Sequence, residues 1–138
     1  MATWNFGPFD NDDAVEWCDR LQSTDPVRRG DLVEMTLSEA VAHPAEVTAA
    51  SSSEIIAAAA AVLQAATGAP IPTTPYATVF PTGTEGIEPT PRLIAIARTA
   101  LEVIVTEGSA FRRQWAGDVE EDLALENVER LHHGLVSA

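Results

Sequence analysis

Residues 91–107, PRLIAIARTALEVIVTE, decide the fold class. Ile94, Ala97, Leu101 and Ile104 recur at heptad-like spacing, and Ile96, Val103 and Val105 widen the apolar face. That period belongs to a helix and not to a strand, whose side chains alternate every second residue. Pro91 stands where a first helical residue tolerates proline, and Gly108 follows as a stop. A wide apolar face predicts a helix at the centre of a bundle. The repeat is shorter than three heptads, so it reads as core packing and not as a coiled coil.

Working outward from this helix, the same signals recur. Downstream, Ser109 is placed to cap a short helix carrying Phe111 and Trp115, which Gly117 ends. Asp118 is placed to cap a last helix whose inner face is Ala124, Val128, Leu131 and Leu135. Upstream, residues 69–91 hold most of the prolines, with Gly83, Gly86 and many threonines, and predict a long irregular crossing pinned by Tyr76, Val79 and Phe80. Loops of this length are uncommon in a compact domain unless they serve a function. Before it lies a third helix, about residues 52–67, carrying Ile55, Ile56, Ala59, Val62, Leu63 and Ala66 and ending at Gly68. Its run of alanines, Ala57 to Ala61, lets a neighbouring backbone come close. A second helix starts at the Ser23-Thr24-Asp25-Pro26 signal, turns Val33, Leu37, Ala40 and Val41 inward, and stops at His43-Pro44. A first helix spans about residues 11–22, with Asp10 at its cap, Asp12 and Asp13 in the first turn, and Ala14, Cys18 and Leu21 inward beside Trp17. Residues 1–10 form an aromatic arm built on Trp4, Phe6 and Phe9. No run alternates with period two and no segment repeats. The expectation is an all-α, single helical domain over residues 1–138, with about five helices and one short one.

Composition narrows the function classes. The chain has 138 residues, 46% of them hydrophobic, and a formal charge of −13 from 21 acidic and 8 basic side chains. Such a chain is long enough and apolar enough to bury a core unaided. Every basic residue is arginine, and the arginines are scattered, with Arg28–Arg29 and Arg112–Arg113 as isolated pairs. Nucleic-acid binding needs clustered cations to displace counterions, so no nucleic-acid partner is expected. The same sign disfavours an anionic membrane surface. The longest apolar run, Ile55 to Leu63, falls short of the roughly 20 residues of a membrane span. The single Cys18 cannot form an intrachain disulfide, and the N-terminal residues lack the basic and apolar regions of a signal peptide. A cytoplasmic protein is expected.

The N-terminal arm carries a family signal. Trp4, Gly7, Phe9, Asn11, Asp12 and Ala14 match a Trp-Gly-x-Gly-x-Phe-x-Asn-Asp-x-Ala-x-Asp pattern. With them the chain resembles a bacterial family known as domain of unknown function 4259. The later layout is similar as well, through Pro75-Tyr76 in the crossing and a Ser-x-Phe-x-x-x-Trp segment at Ser109, Phe111 and Trp115. Asn5 replaces the usual Gly and Glu16 the usual Asp. Asn is the residue next most tolerant of a positive φ, so the arm's backbone is expected to survive the change. The resemblance implies a fold and no activity.

Several clusters have a structural and a functional reading. Asp10-Asn11-Asp12-Asp13 supplies a helix cap with acids matched to the helix dipole. The competing reading is a site for a hard divalent cation with Asp10, Asp12 and Asp13 as ligands, although no EF-hand spacing is present. His132-His133 are adjacent on a helix and point about 100° apart, so they are expected to be C-terminal side chains and not a chelating pair. Cys18 lies on an apolar face among Asp12, Asp13, Glu16 and Asp19, which argues against a nucleophile. His43 is expected at the surface. Arg112 and Arg113, beside Trp115, are expected to pair with the protein's own acids. No G-x-S-x-G, P-loop, G-x-G-x-x-G or C-x-x-C occurs, no catalytic residue stands out, and no cofactor is called for. Two functions are carried forward. The first is an acidic module that docks another protein, immunity-like or accessory, with the acids of the last helix as its face. The second is a small-ligand or cation binder, or a weakly marked enzyme, with a site drawn from Trp4, Phe9, Asn11, Asp12, Asp13, Tyr76, Arg112 and Trp115.

Overall fold

The computed structural model describes residues 12–68, 84–119 and 121–138. Six α-helices run through them: α1 Asp12–Ser23, α2 Pro26–Ala42, α3 Ala49–Thr67, α4 Pro91–Ile104, α5 Ala110–Trp115 and α6 Glu121–Ser137, with a 3₁₀ turn at Pro44–Glu46. No strand forms among the described residues. The all-α expectation is met.

Local sequence explains where the helices begin. Pro26 and Pro91 open α2 and α4 at the position where the missing N–H costs nothing. Thr90 and Ser109 cap α4 and α5 by accepting from the N–H of Leu93 and Arg112. α3 begins earlier than its serine run suggests. Thr48 is the cap, and it forms a reciprocal box with Ser51, where a Glu or Gln is more usual. α6 begins at Glu121, and Asp118 stands three residues ahead of it, its carbonyl accepting the Glu121 N–H. α4 ends at Ile104, short of the expected Glu107. Gly68 closes α3 in the left-handed conformation.

The centre of the bundle differs from expectation in one respect. The wide face of α4 points to it as the central helix, and α4 does pack on α2, α3, α5 and α6. α3 is more central still, packing on α1, α2, α4, α5 and α6. Its alanines, Ala57 to Ala61, are buried with Ile55, Ile56 and Val62. Small side chains on every side let several helices approach one axis. The same closeness appears at Gly134 of α6, where an added Cβ would lie 2.9 Å from a Leu63 methyl carbon. By length and composition α3 could cross a membrane. Its burial among five other helices accounts for its apolar character. Trp17, Leu37, Leu101, Ile104 and Leu135 fill the core around it, each contributing about 1.5–3 kcal/mol of transfer free energy.

One buried charge ties the chain together. The Arg29 side chain is 9% exposed. Its Nε donates to the carbonyls of Leu21 and Thr24 at 3.1 and 3.0 Å, one terminal nitrogen to Gln22 at 3.0 Å, and the other to Glu85 at 3.2 Å. Leu21 and Gln22 lie in the last turn of α1, whose carbonyls lack a helical N–H partner, and Leu21 also accepts the Thr24 N–H at 3.1 Å. A cation there also suits the helix dipole. Glu85 belongs to the segment that leads into α4, and Gly86 beside it has φ +90°. A Cβ at Gly86 would come within 2.1 Å of the Pro26 carbonyl oxygen. Residues 85–86 are thus pressed against the α1–α2 corner, and this contact sets where α4 enters the bundle.

Candidate docking interface

α4 and α6 cross the bundle side by side, and their outer shoulders leave a groove of about 190 Å³. The groove is lined by Leu101, Glu102 and Val105 of the α4 side and by Val128, Glu129 and His132 of α6. Leu101 and Val128 reach it from the core, so its floor is apolar. Glu102 and Glu129 stand at its edge, exposed. His132 Nε2 lies 2.8 Å from Glu102 Oε2 and bridges the two helices. Along α6, Asp122, Glu126 and Glu129 follow the i, i+4, i+7 spacing that places them on one face. Glu126 pairs with Arg130 at 3.2 Å, both exposed, a contact worth little in water.

The inner face of α6 is the one expected from its sequence: Ala124, Val128, Leu131 and Leu135 are buried. The acids of α6 project outward, as a solvated face should. His132 is half-buried, and its ring meets Glu102 of α4. It lies four residues after Val128 and three before Leu135, at the border of the apolar face, and that spacing was the available signal. Glu102 had none, because its partner lies 30 residues away in sequence.

The other candidate residues divide into three groups. Trp4, Phe9, Asp10, Asn11 and Tyr76 lie outside the described residues, and with them the aromatic arm, the proposed Asp10 cap and the crossing itself. Asp12 and Asp13 occupy the first turn of α1. Asp12 is exposed and Asp13 half-buried, its Oδ2 sealed from solvent without a hydrogen-bond partner among the described residues. Trp115 is buried with Phe111 and anchors α5 to the core, so it offers no open stacking face. Arg112 and Arg113 make no ion pair among the described residues. Arg113 donates to the Gly108 carbonyl at 2.8 Å. Neither Asp12 nor Asp13 is bonded to Arg112 or Trp115.

Among the described residues, no group of three or more His, Cys, Asp or Glu side chains is arranged to hold a metal ion. Cys18 is buried, and burial pushes its thiol up to about 12, with Asp19 adding to the effect. It stays a neutral thiol and packs as a small apolar side chain. His43 caps the end of α2 and faces Glu46 at 3.7 Å, both at the surface.

Two of the comparisons with known proteins return nothing: no curated protein and no solved structure matches the chain. A family model, Domain of unknown function (DUF4259), matches residues 2–127. That span includes the arm motif, all of α1 to α5 and the first part of α6. The chain therefore belongs to the DUF4259 family.

Proposed function

We propose that this chain is an acidic docking module that binds a basic face of another protein in the cytoplasm, seating lysine or arginine side chains at the α4–α6 groove. The observation that carries this reading is the pairing of an apolar floor, Leu101, Val105 and Val128, with the exposed carboxylates of Glu102 and Glu129. A lysine or arginine has the same two parts, an alkyl stem that prefers apolar surface and a cationic head that prefers a carboxylate. The formal charge of −13 supports the reading at longer range. Such a field speeds encounter with a basic surface and slows it with an acidic one.

The test is capture from bacterial lysate, run with the natural sequence and with Glu102→Gln/Glu129→Gln side by side. The expected result is a basic protein retained stoichiometrically by the natural sequence, released at high salt and lost by the double variant. Equal retention by both chains would overturn the assignment of the groove.

A further inference from the structure

A second concavity shares no lining residue with the α4–α6 groove. We propose that the cleft between α1, α2 and α3 binds a small organic cation, an ammonium or guanidinium group carried on an apolar body. The cleft encloses about 280 Å³, at the lower edge of the roughly 300–1,000 Å³ of small-molecule sites. Met35, Val47 and Ile55 form its apolar wall, and Glu39, Glu46 and Glu54 bring carboxylates from α2, the 3₁₀ turn and α3. Two cationic or titratable side chains, Arg20 and His43, share the lining. His43 already faces Glu46 at 3.7 Å, and Arg20 acts on Glu54.

Burial, more than neighbouring charge, sets the state of Glu54. Burial pushes its carboxyl up, Arg20 pulls it down, and Asp13 and Glu16 of α1 push it up again. A bound cation would favour the ionised carboxylate that burial disfavours. An anion is disfavoured by the three carboxylates of Glu39, Glu46 and Glu54 in the lining.

The walls are fixed before any ligand arrives. Trp17 Nε1 donates to Thr36 Oγ1 at 3.0 Å, and that hydroxyl donates to the Leu32 carbonyl at 2.9 Å. Thr36 lines the cleft, so a buried indole on α1 holds the α2 wall from behind. The capping box holds the α3 wall. Little ordering is then left for binding to impose.

The experiment titrates the full chain with 2-phenylethylammonium, 2-phenylethanol and 3-phenylpropanoate, reading amide shifts by NMR. These three probes share an apolar body and differ in charge. The ammonium is expected to saturate, with shifts centred on Thr36, Glu39, Ser51 and Ile55, and to bind at least about fivefold more tightly than the alcohol. Glu54→Gln is expected to remove that advantage, Glu39→Gln to reduce it, and Glu102→Gln on the other face to leave it intact. Equal binding of ammonium and alcohol would overturn the proposal as mere apolar adsorption. Shifts scattered over the acidic surface and insensitive to Glu54→Gln would overturn it as counterion binding. Failure here leaves the α4–α6 docking reading untouched, since the two faces share no residue.

Discussion

Arg29 and the acids of the α4–α6 edge show two opposite uses of charge in one small bundle. At the α1–α2 corner, a guanidinium is buried and shared among four backbone carbonyls. At the α4–α6 edge, Glu102 and Glu129 stand in solvent beside an apolar floor. The first arrangement offsets the cost of taking a charge out of water, because each guanidinium nitrogen donates to a backbone carbonyl. The second gains little for stability, since its one cross-helix contact, Glu102 to His132, is exposed and the other carboxylates add to an already acidic chain. Charge that is fully used inside the fold serves the fold, and charge left exposed around an apolar floor is available to a partner.

Removing the buried charge should have the largest effect. Arg29→Met removes the guanidinium's bonds to Leu21, Gln22 and Thr24 and releases the Glu85 segment. A loss of about 3–5 kcal/mol is expected, which for a chain of this size lowers Tm by on the order of 10 °C. Arg29→Lys should recover only part of it, because an ammonium cannot span four acceptors. Thermal unfolding of the three chains checks the order. If Arg29→Met melts within a degree or two of the natural sequence, the corner is not what holds α1 to α2.

Gly86→Ala should come next, at about 2 kcal/mol, because the new Cβ meets the Pro26 carbonyl at a positive φ. Gly117→Ala provides the control. Gly117 also has a positive φ but nothing within 4 Å of the added carbon, so about 1 kcal/mol of backbone strain should be its whole cost. The difference between their denaturation midpoints isolates the contact with Pro26. Equal midpoints would mean that residues 85–86 do not press on the corner.

The two regions also differ in how far the sequence could announce them. Helix positions followed from apolar spacing and from Pro26, Pro91 and Ser109, because those signals are local. The acidic outer face of α6 was legible for the same reason: Ala124, Val128, Leu131 and Leu135 fix which side faces in. Arg29 was not. In sequence it is half of an exposed-looking arginine pair, and only the fold brings Glu85 to it from 56 residues away. Thr48 was missed because Ser51 stands where a capping box usually has Glu, so the serine run looked like the start of α3. Glu102 and the α1–α2–α3 cleft were missed because each joins side chains from separate helices, and apolar periodicity reports only the buried half of a helix.

The exposed acids should change binding and leave stability alone. Glu102→Gln/Glu129→Gln should move the unfolding free energy by no more than about 0.5 kcal/mol, while the basic partner is no longer retained. A large loss of stability would turn the edge into a structural feature, with the Glu102–His132 bridge as its source, and would erase the contrast with Arg29.

Glu54 lies between the two extremes, and its pH dependence separates them. Its carboxyl titrates above the ordinary range, chiefly through burial and then through Asp13 and Glu16, against the pull of Arg20. A carboxyl raised in the folded state binds its proton more tightly there than in the unfolded chain. Folding is therefore favoured while Glu54 is protonated, and that advantage is lost as pH rises from the unfolded carboxyl's range through the raised value. Glu54→Gln mimics the protonated form. It should melt slightly higher than the natural sequence at neutral pH, and the gap should close as the solution is acidified below the ordinary carboxylate range. The effect is the smallest of the set, because the group is half-exposed and water screens it. A gap that stays constant with pH would mean that Glu54 acts through packing. A gap that closes with pH and also vanishes when 2-phenylethylammonium is added would tie this small destabilisation to the cation that the cleft is proposed to hold.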